Sequence, residues 1–91
     1  MDKRFNPFVD IYPKLDVHGL TRDLLMVEVN GFILENFRMG KDKVVVIHGH
    51  GSKILMHELH RNLKNNQYVS NYYTDHMNDG CTIIELKKEN K

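Results

Sequence analysis

The stretch Val44-Val45-Val46-Ile47-His48-Gly49-His50-Gly51 decides the fold. Four β-branched apolar residues in a row predict a buried strand, since such side chains pack well on a pleated surface and an unbroken apolar run needs cover on both faces. Glycines and histidines follow at once, and a helical pattern begins at Ser52. A strand that ends in a glycine-rich turn and opens a helix suits an anion. The helix start offers unpaired N–H groups, and glycine lets the backbone come close. Leu15-Asp16-Val17-His18-Gly19 has the same layout: apolar strand, polar tip, glycine, helix.

Between these tips, Thr21 is a good N-cap for a helix over Arg22–Met39. Leu25, Val29, Phe32, Ile33 and Phe37 recur at three and four and form its core stripe, which Met26 and Leu34 widen. Gly31 falls inside the stripe at a cost of roughly 1 kcal/mol against alanine, which close packing of the helix on a sheet would explain. Gly40 suits the C′ position. Strand, helix and strand joined by short connections make a βαβ unit, so the strands over Lys14–His18 and Val44–Ile47 are parallel with a right-handed crossover. Parallel strands end on one edge of the sheet, where open α/β sheets bind ligands. Asp16–His18 and His48–Gly51 are thereby expected side by side.

Outward from there, Leu55, Leu59 and Leu63, with Met56 beside them, mark a second helix over Ser52–Asn65. Tyr68–Thr74 reads as a third strand, Asp75–Gly80 as a polar loop, and Cys81–Leu86 as a last strand paired with the third in a hairpin. The fold class is α/β, in the order β-α-β-α-β-β. Residues 1–14 are read as an N-terminal arm, 15–87 as the domain and 88–91 as a charged tail. In the arm, Phe5, Phe8, Val9, Ile11 and Tyr12 either lie over the domain's apolar surface or belong to a frayed terminus.

The bulk numbers narrow the class. A chain of 91 residues with 41% hydrophobic and 27% charged residues makes one globular domain. No apolar run approaches the ~20 residues that span a bilayer, and no apolar segment follows the charged N-terminus as in a secretory signal, so no membrane partner is expected. One cysteine, Cys81, allows no internal disulfide and fits a reducing, cytoplasmic setting. A net charge of +1 is unlike that of a strongly basic nucleic-acid binder, although a local basic patch remains compatible with it.

Leu-Asp-Val-His-Gly-Leu-Thr (15–21), Ile-His-Gly-His-Gly (47–51) and Asp-Gly-Cys-Thr-Ile-Ile-Glu-Leu (79–86) resemble, in order and spacing, the three signatures of the small MutS-related, or Smr, domain. The departures are Lys53, where many members have a further glycine, and a third loop reduced to Asn78-Asp79-Gly80. The resemblance implies a two-layer sandwich: a mixed four-stranded sheet with two helices packed on one face. It also implies nucleic-acid work. Members occur at the C-terminus of MutS-like proteins or stand alone, as DNA-nicking endonucleases or as endonucleases acting on mRNA at stalled ribosomes. DNA or RNA, and the ribosome, are the implied partners.

Phosphodiester cleavage needs a nucleophile activated, a leaving oxygen protonated and negative charge stabilised. Asp16 and His18 share one strand face, about 7 Å apart along it, and suit a base or acid with a carboxylate beside it. The plain alternative is that Asp16 caps a turn and His18 is a polar strand end. His48, Gly49, His50, Gly51 and Lys53 are the candidate phosphate contacts. His50 stands at a position often basic in the family, and His48 serves equally well as a buried histidine holding the turn. Lys53 opposes the helix dipole unless an anion lies between. Asp16, His18 and His48 also have the ligand types for a divalent metal, though not the spacing of a known metal motif. His57 and His60, at i and i+3, more naturally face solvent. Cys81 reads as a small buried apolar residue, and Tyr68, Tyr72 and Tyr73 as packing or as base-stacking platforms. Two functions follow: an endonuclease using Asp16 and His18, or a non-catalytic module docking on nucleic acid, the ribosome or a protein through the same edge.

Overall fold

The computed structural model describes residues 11–51 and 53–88. The elements run β1 (Lys14–Asp16), α1 (Arg22–Arg38), β2 (Lys43–Ile47), α2 (Lys53–Leu63), β3 (Val69–Thr74) and β4 (Cys81–Leu86). The four strands form one sheet in the order β1-β2-β4-β3. β1 pairs parallel to β2, with Asp16 opposite Ile47. β4 runs antiparallel to both β2 and β3, so the sheet is mixed. The expected order and class hold.

Strand alternation sorts the core into two faces. Val44 and Val46 of β2 and Ile84 and Leu86 of β4 face the helices, where they meet Leu25, Val29 and Ile33 of α1 and Leu55, Leu59 and Leu63 of α2. All twelve members of that cluster are buried, and each contributes about 1.5–3 kcal/mol by leaving water. The intervening residues Val45, Cys81 and Ile83 lie on the opposite face, with Tyr12, Ile47 and Tyr73 packed against them. The unbroken Val44–Ile47 run thus serves two apolar layers. Of the arm residues expected to dock, Tyr12 does so and Ile11 is exposed, while Phe5, Phe8 and Val9 lie outside the described residues.

Both ends of α1 follow their sequence signals. The Thr21 hydroxyl accepts from the Leu24 N–H at 3.3 Å. At the other end Gly40, at φ 75°, lets its own N–H reach the Phe37 carbonyl and the Lys41 N–H reach the Asn36 carbonyl. That is a Schellman close, and it leaves Met39 as the cap rather than the last helical residue.

The stripe differs from its expected form. Phe32 and Phe37 are only half-buried, and Asn36 takes the buried position between them, its amide donating to the Phe32 carbonyl at 2.8 Å. Gly31 is exposed, and a Cβ there would meet nothing within 4 Å, so close packing on the sheet does not explain it. α2 stops at Leu63, short of Asn65, because the chain tightens into i→i+3 bonds from Asn65 to Asn62 and from Asn66 to Leu63. β1 ends at Asp16, although the Val17 N–H still bonds to the Ile47 carbonyl at 2.8 Å.

Candidate active site

The parallel pair places the C-terminal ends of β1 and β2 together, as the βαβ argument requires. A Cβ built on Gly49 would lie 3.6 Å from the His18 Cβ, so the two tips touch. Gly49 has φ 90°, which favours glycine over any side-chain-bearing residue. A third segment, the β3–β4 loop, is fastened onto them. The Gly80 carbonyl accepts from both the His48 N–H at 2.9 Å and the Gly49 N–H at 3.0 Å. A Cβ at Gly80 would press to 3.1 Å against the Gly49 carbonyl carbon and the His50 nitrogen, so this junction is built for glycine.

Asp16 and His18 form a direct pair, with His18 Nδ1 2.5 Å from Asp16 Oδ1. The same oxygen accepts from the His18 backbone N–H at 3.1 Å, which closes a local turn. Asp16 therefore both shapes the turn and orients the ring. The hydrogen bond from the His18 ring, and after it that from the backbone amide, hold the Asp16 carboxyl below its usual range. An ionised carboxylate only accepts, so Nδ1 carries the hydrogen and Nε2 faces outward on a side chain that is 70% exposed.

His50 is built the same way. Its Nδ1 bonds to the Asp79 carboxylate, delivered by the β3–β4 loop. The His50 hydrogen bond, followed by the positive charges of His50 and Lys53, lowers the Asp79 pKa. Gly51 is exposed, and so is Lys53 at the first position of α2.

His48 points the other way. It is 1% exposed, with Nε2 2.9 Å from the Thr82 hydroxyl and Nδ1 3.2 Å from the Gly49 carbonyl. Only its backbone, and not its ring, is available to a phosphate at the edge. His60, expected to face solvent, instead reaches the same Thr82 hydroxyl from α2 at 2.8 Å and stacks edge-on against Tyr72.

The hydrogens in this cluster can be placed. The Gly49 carbonyl only accepts, so His48 Nδ1 donates and its Nε2 accepts from the Thr82 O–H. That hydroxyl's oxygen then accepts from His60 Nε2–H. Burial lowers the pKa of both rings and keeps them neutral. The nearby positive charges of His50 and Lys53 push His48 the same way, and those of His48 and His57 push His60.

The metal alternative finds no support in this geometry. His48 turns away from Asp16 and His18, and among the described residues no three His, Cys, Asp or Glu side chains form a cluster able to hold an ion. Cys81 is buried as expected. The tyrosines pack, with Tyr68 against Phe37, Tyr72 against His60 and Tyr73 in the second apolar layer. Asp79, Thr82 and His60 were not among the sequence candidates. Their partners stand 29, 34 and 22 positions away, and only the closed sheet brings them together.

A family model of the Smr domain matches residues 15–87, and the chain belongs to that family. Among curated relatives, the endonuclease MutS2 of Caldanaerobacter subterraneus subsp. tengcongensis is 35% identical over 79 residues, covering 84% of this chain and 10% of its own length. That of Pelotomaculum thermopropionicum is 30% identical over 80 residues, covering 85% and 10%. The chain thus spans about a tenth of the length of these relatives. Among solved structures, the Smr domain of Thermus thermophilus MutS2 superposes with a TM-score of 0.79 at 22% identity, covering 82% of this chain and 98% of that one. YdaL, a stand-alone small MutS-related protein from Escherichia coli, gives a TM-score of 0.78 at 25% identity, covering 85% and 68%. The mixed sheet with two helices is the fold of these domains. Among the described residues no helix is long and apolar enough to cross a membrane.

Proposed function

We propose that this chain cleaves phosphodiester bonds of DNA or RNA at the edge formed by the C-terminal ends of β1 and β2. The observation that carries the proposal is the Asp16–His18 pair. A carboxylate fixes Nδ1 of an exposed imidazole and leaves Nε2 directed at solvent, beside the glycine turn that opens α2. An imidazole so held can take a proton from an attacking hydroxyl or give one to a leaving oxygen. The N–H groups at the start of α2, the Gly49–Gly51 backbone, the His50 ring and the Lys53 ammonium supply positive potential for the phosphate. Kinship with proteins named endonuclease supports the same reading.

A second reading is favoured by the near-neutral charge of +1: a module that docks on nucleic acid or a ribosome and leaves the chemistry to a partner. One assay separates them. Wild type and the Asp16→Asn, His18→Ala double variant are incubated with labelled single-stranded RNA, duplex RNA and supercoiled DNA, with and without chelator. Cleavage that the double variant loses supports the enzyme, selects its substrate and decides whether a divalent metal takes part. Binding without cleavage in both proteins supports the docking module.

A further inference from the structure

We propose that His50, aimed by Asp79, is the second proton-transfer group of this edge, acting on the phosphodiester opposite His18. The proposal rests on the endonuclease reading and extends it to a residue the sequence assigned only to phosphate contact. Displacement at phosphorus needs two proton movements. One leaves the attacking hydroxyl as its oxygen bonds to phosphorus, and one reaches the departing oxygen as its bond to phosphorus breaks. The Asp16–His18 pair supplies one of them. At the end of a turnover the two imidazoles have exchanged protonation states, and solvent restores them; one O–P bond has formed, one has broken, and nothing is oxidised or reduced.

Three observations make His50 the partner. Its ring is held in the same way as that of His18, Nδ1 on a carboxylate and Nε2 left over, on a side chain that is 45% exposed. Its carboxylate arrives from 29 positions along the chain, on a loop clamped to the tip by two hydrogen bonds to the Gly80 carbonyl. A local turn, which explains the Asp16–His18 contact equally well, cannot explain this one. Lastly, Gly49 separates the two histidines and nearly touches His18, so the roots of the two rings lie within about 9 Å of each other, a span that one phosphodiester group can bridge. The charged and titratable groups near His50 are Asp79, Lys53 and His48, and the group paired with His18 is Asp16.

The test compares wild type, His50→Arg, His50→Ala and Asp79→Asn on whichever nucleic acid the wild type cleaves, with melting followed as a fold control. Arginine keeps a cation, and a better phosphate fork, but cannot release a proton at working pH. We expect His50→Arg and His50→Ala to lose about 10²-fold or more in kcat and to lose one limb of the pH–rate profile. Asp79→Asn should fall less far. A substrate with a sulfur leaving atom needs no proton on departure, so it should rescue one of His18→Ala and His50→Ala and not the other. Wild-type turnover in His50→Arg with both pH limbs intact would overturn the proposal and leave the Asp16–His18 reading standing. Cleavage that survives the Asp16→Asn, His18→Ala change, or no cleavage by wild type, would overturn both.

Discussion

His18 and His50 hold their rings out to solvent, each on a carboxylate, whereas His48 and His60 turn theirs inward onto one threonine hydroxyl. All four stand around the same edge of the sheet. The chemistry of the partner makes the difference. A carboxylate consumes Nδ1 and leaves Nε2 open. A hydroxyl shared by two rings consumes both of their Nε2 atoms and, with burial, keeps both rings neutral. The outer pair is therefore available to a substrate, and the inner pair is a fastening between β2, β4 and α2.

The sharpest break in this comparison is functional. Asp16→Asn should lower cleavage by about 10²–10⁴-fold, because it removes the acceptor that fixes the ring, while urea unfolding shifts by no more than about 0.5 kcal/mol. Thr82→Val should do the reverse to the inner pair. It leaves two buried imidazoles without their shared partner, and a loss of about 2–3 kcal/mol in urea unfolding is expected. Equal destabilisation by the two changes would erase the distinction.

Acidity offers a third test. His48 and His60 titrate below the ordinary histidine value of 6.5, chiefly through burial. As pH falls through 6.5 the unfolded chain takes up protons first, so stability drops below that pH and is unaffected by these rings above it. Asp16 and Asp79, lowered chiefly by their histidine hydrogen bonds, act further down. Their contribution is present above the ordinary value of 3.8 and is lost as pH falls through the folded value. Urea midpoints should therefore fall between pH 7.5 and pH 5.5, and a rise over that interval would contradict the assignment. Gly80→Ala should cost about 1 kcal/mol and disturb the tip, because its new Cβ presses on backbone rather than on a flexible side chain. The smallest effect belongs to a site outside both pairs: Gly31→Ala, with open space around it, should stabilise α1 by about 0.5–1 kcal/mol in thermal melts.

Much of this was legible in the chain. The Val44–Ile47 run, the Thr21 cap and the Gly40 close act over a few residues, and the βαβ rule turned them into a parallel pair with adjacent tips. What escaped were distant partners. Nothing near His60 signals Thr82, and a helical histidine with polar neighbours reads as solvated. Asp79 sits in a loop whose docking depends on one carbonyl, that of Gly80. Gly31 misled for the opposite reason: the stripe around it is real, but Gly31 itself lies on the exposed side of the helix.

β1 is a three-residue strand at the sheet's edge, joined to the rest of the sheet through β2 alone. Such an element opens with far less free energy than the buried β2–β4 pair, and Asp16 is its last residue. On heating, the carboxylate that aims His18 should come away while the core stays folded. Enzymatic inactivation is then expected several degrees below the cooperative melting transition, with Asp16 and Val17 amides exchanging with solvent before those of β2 and β4.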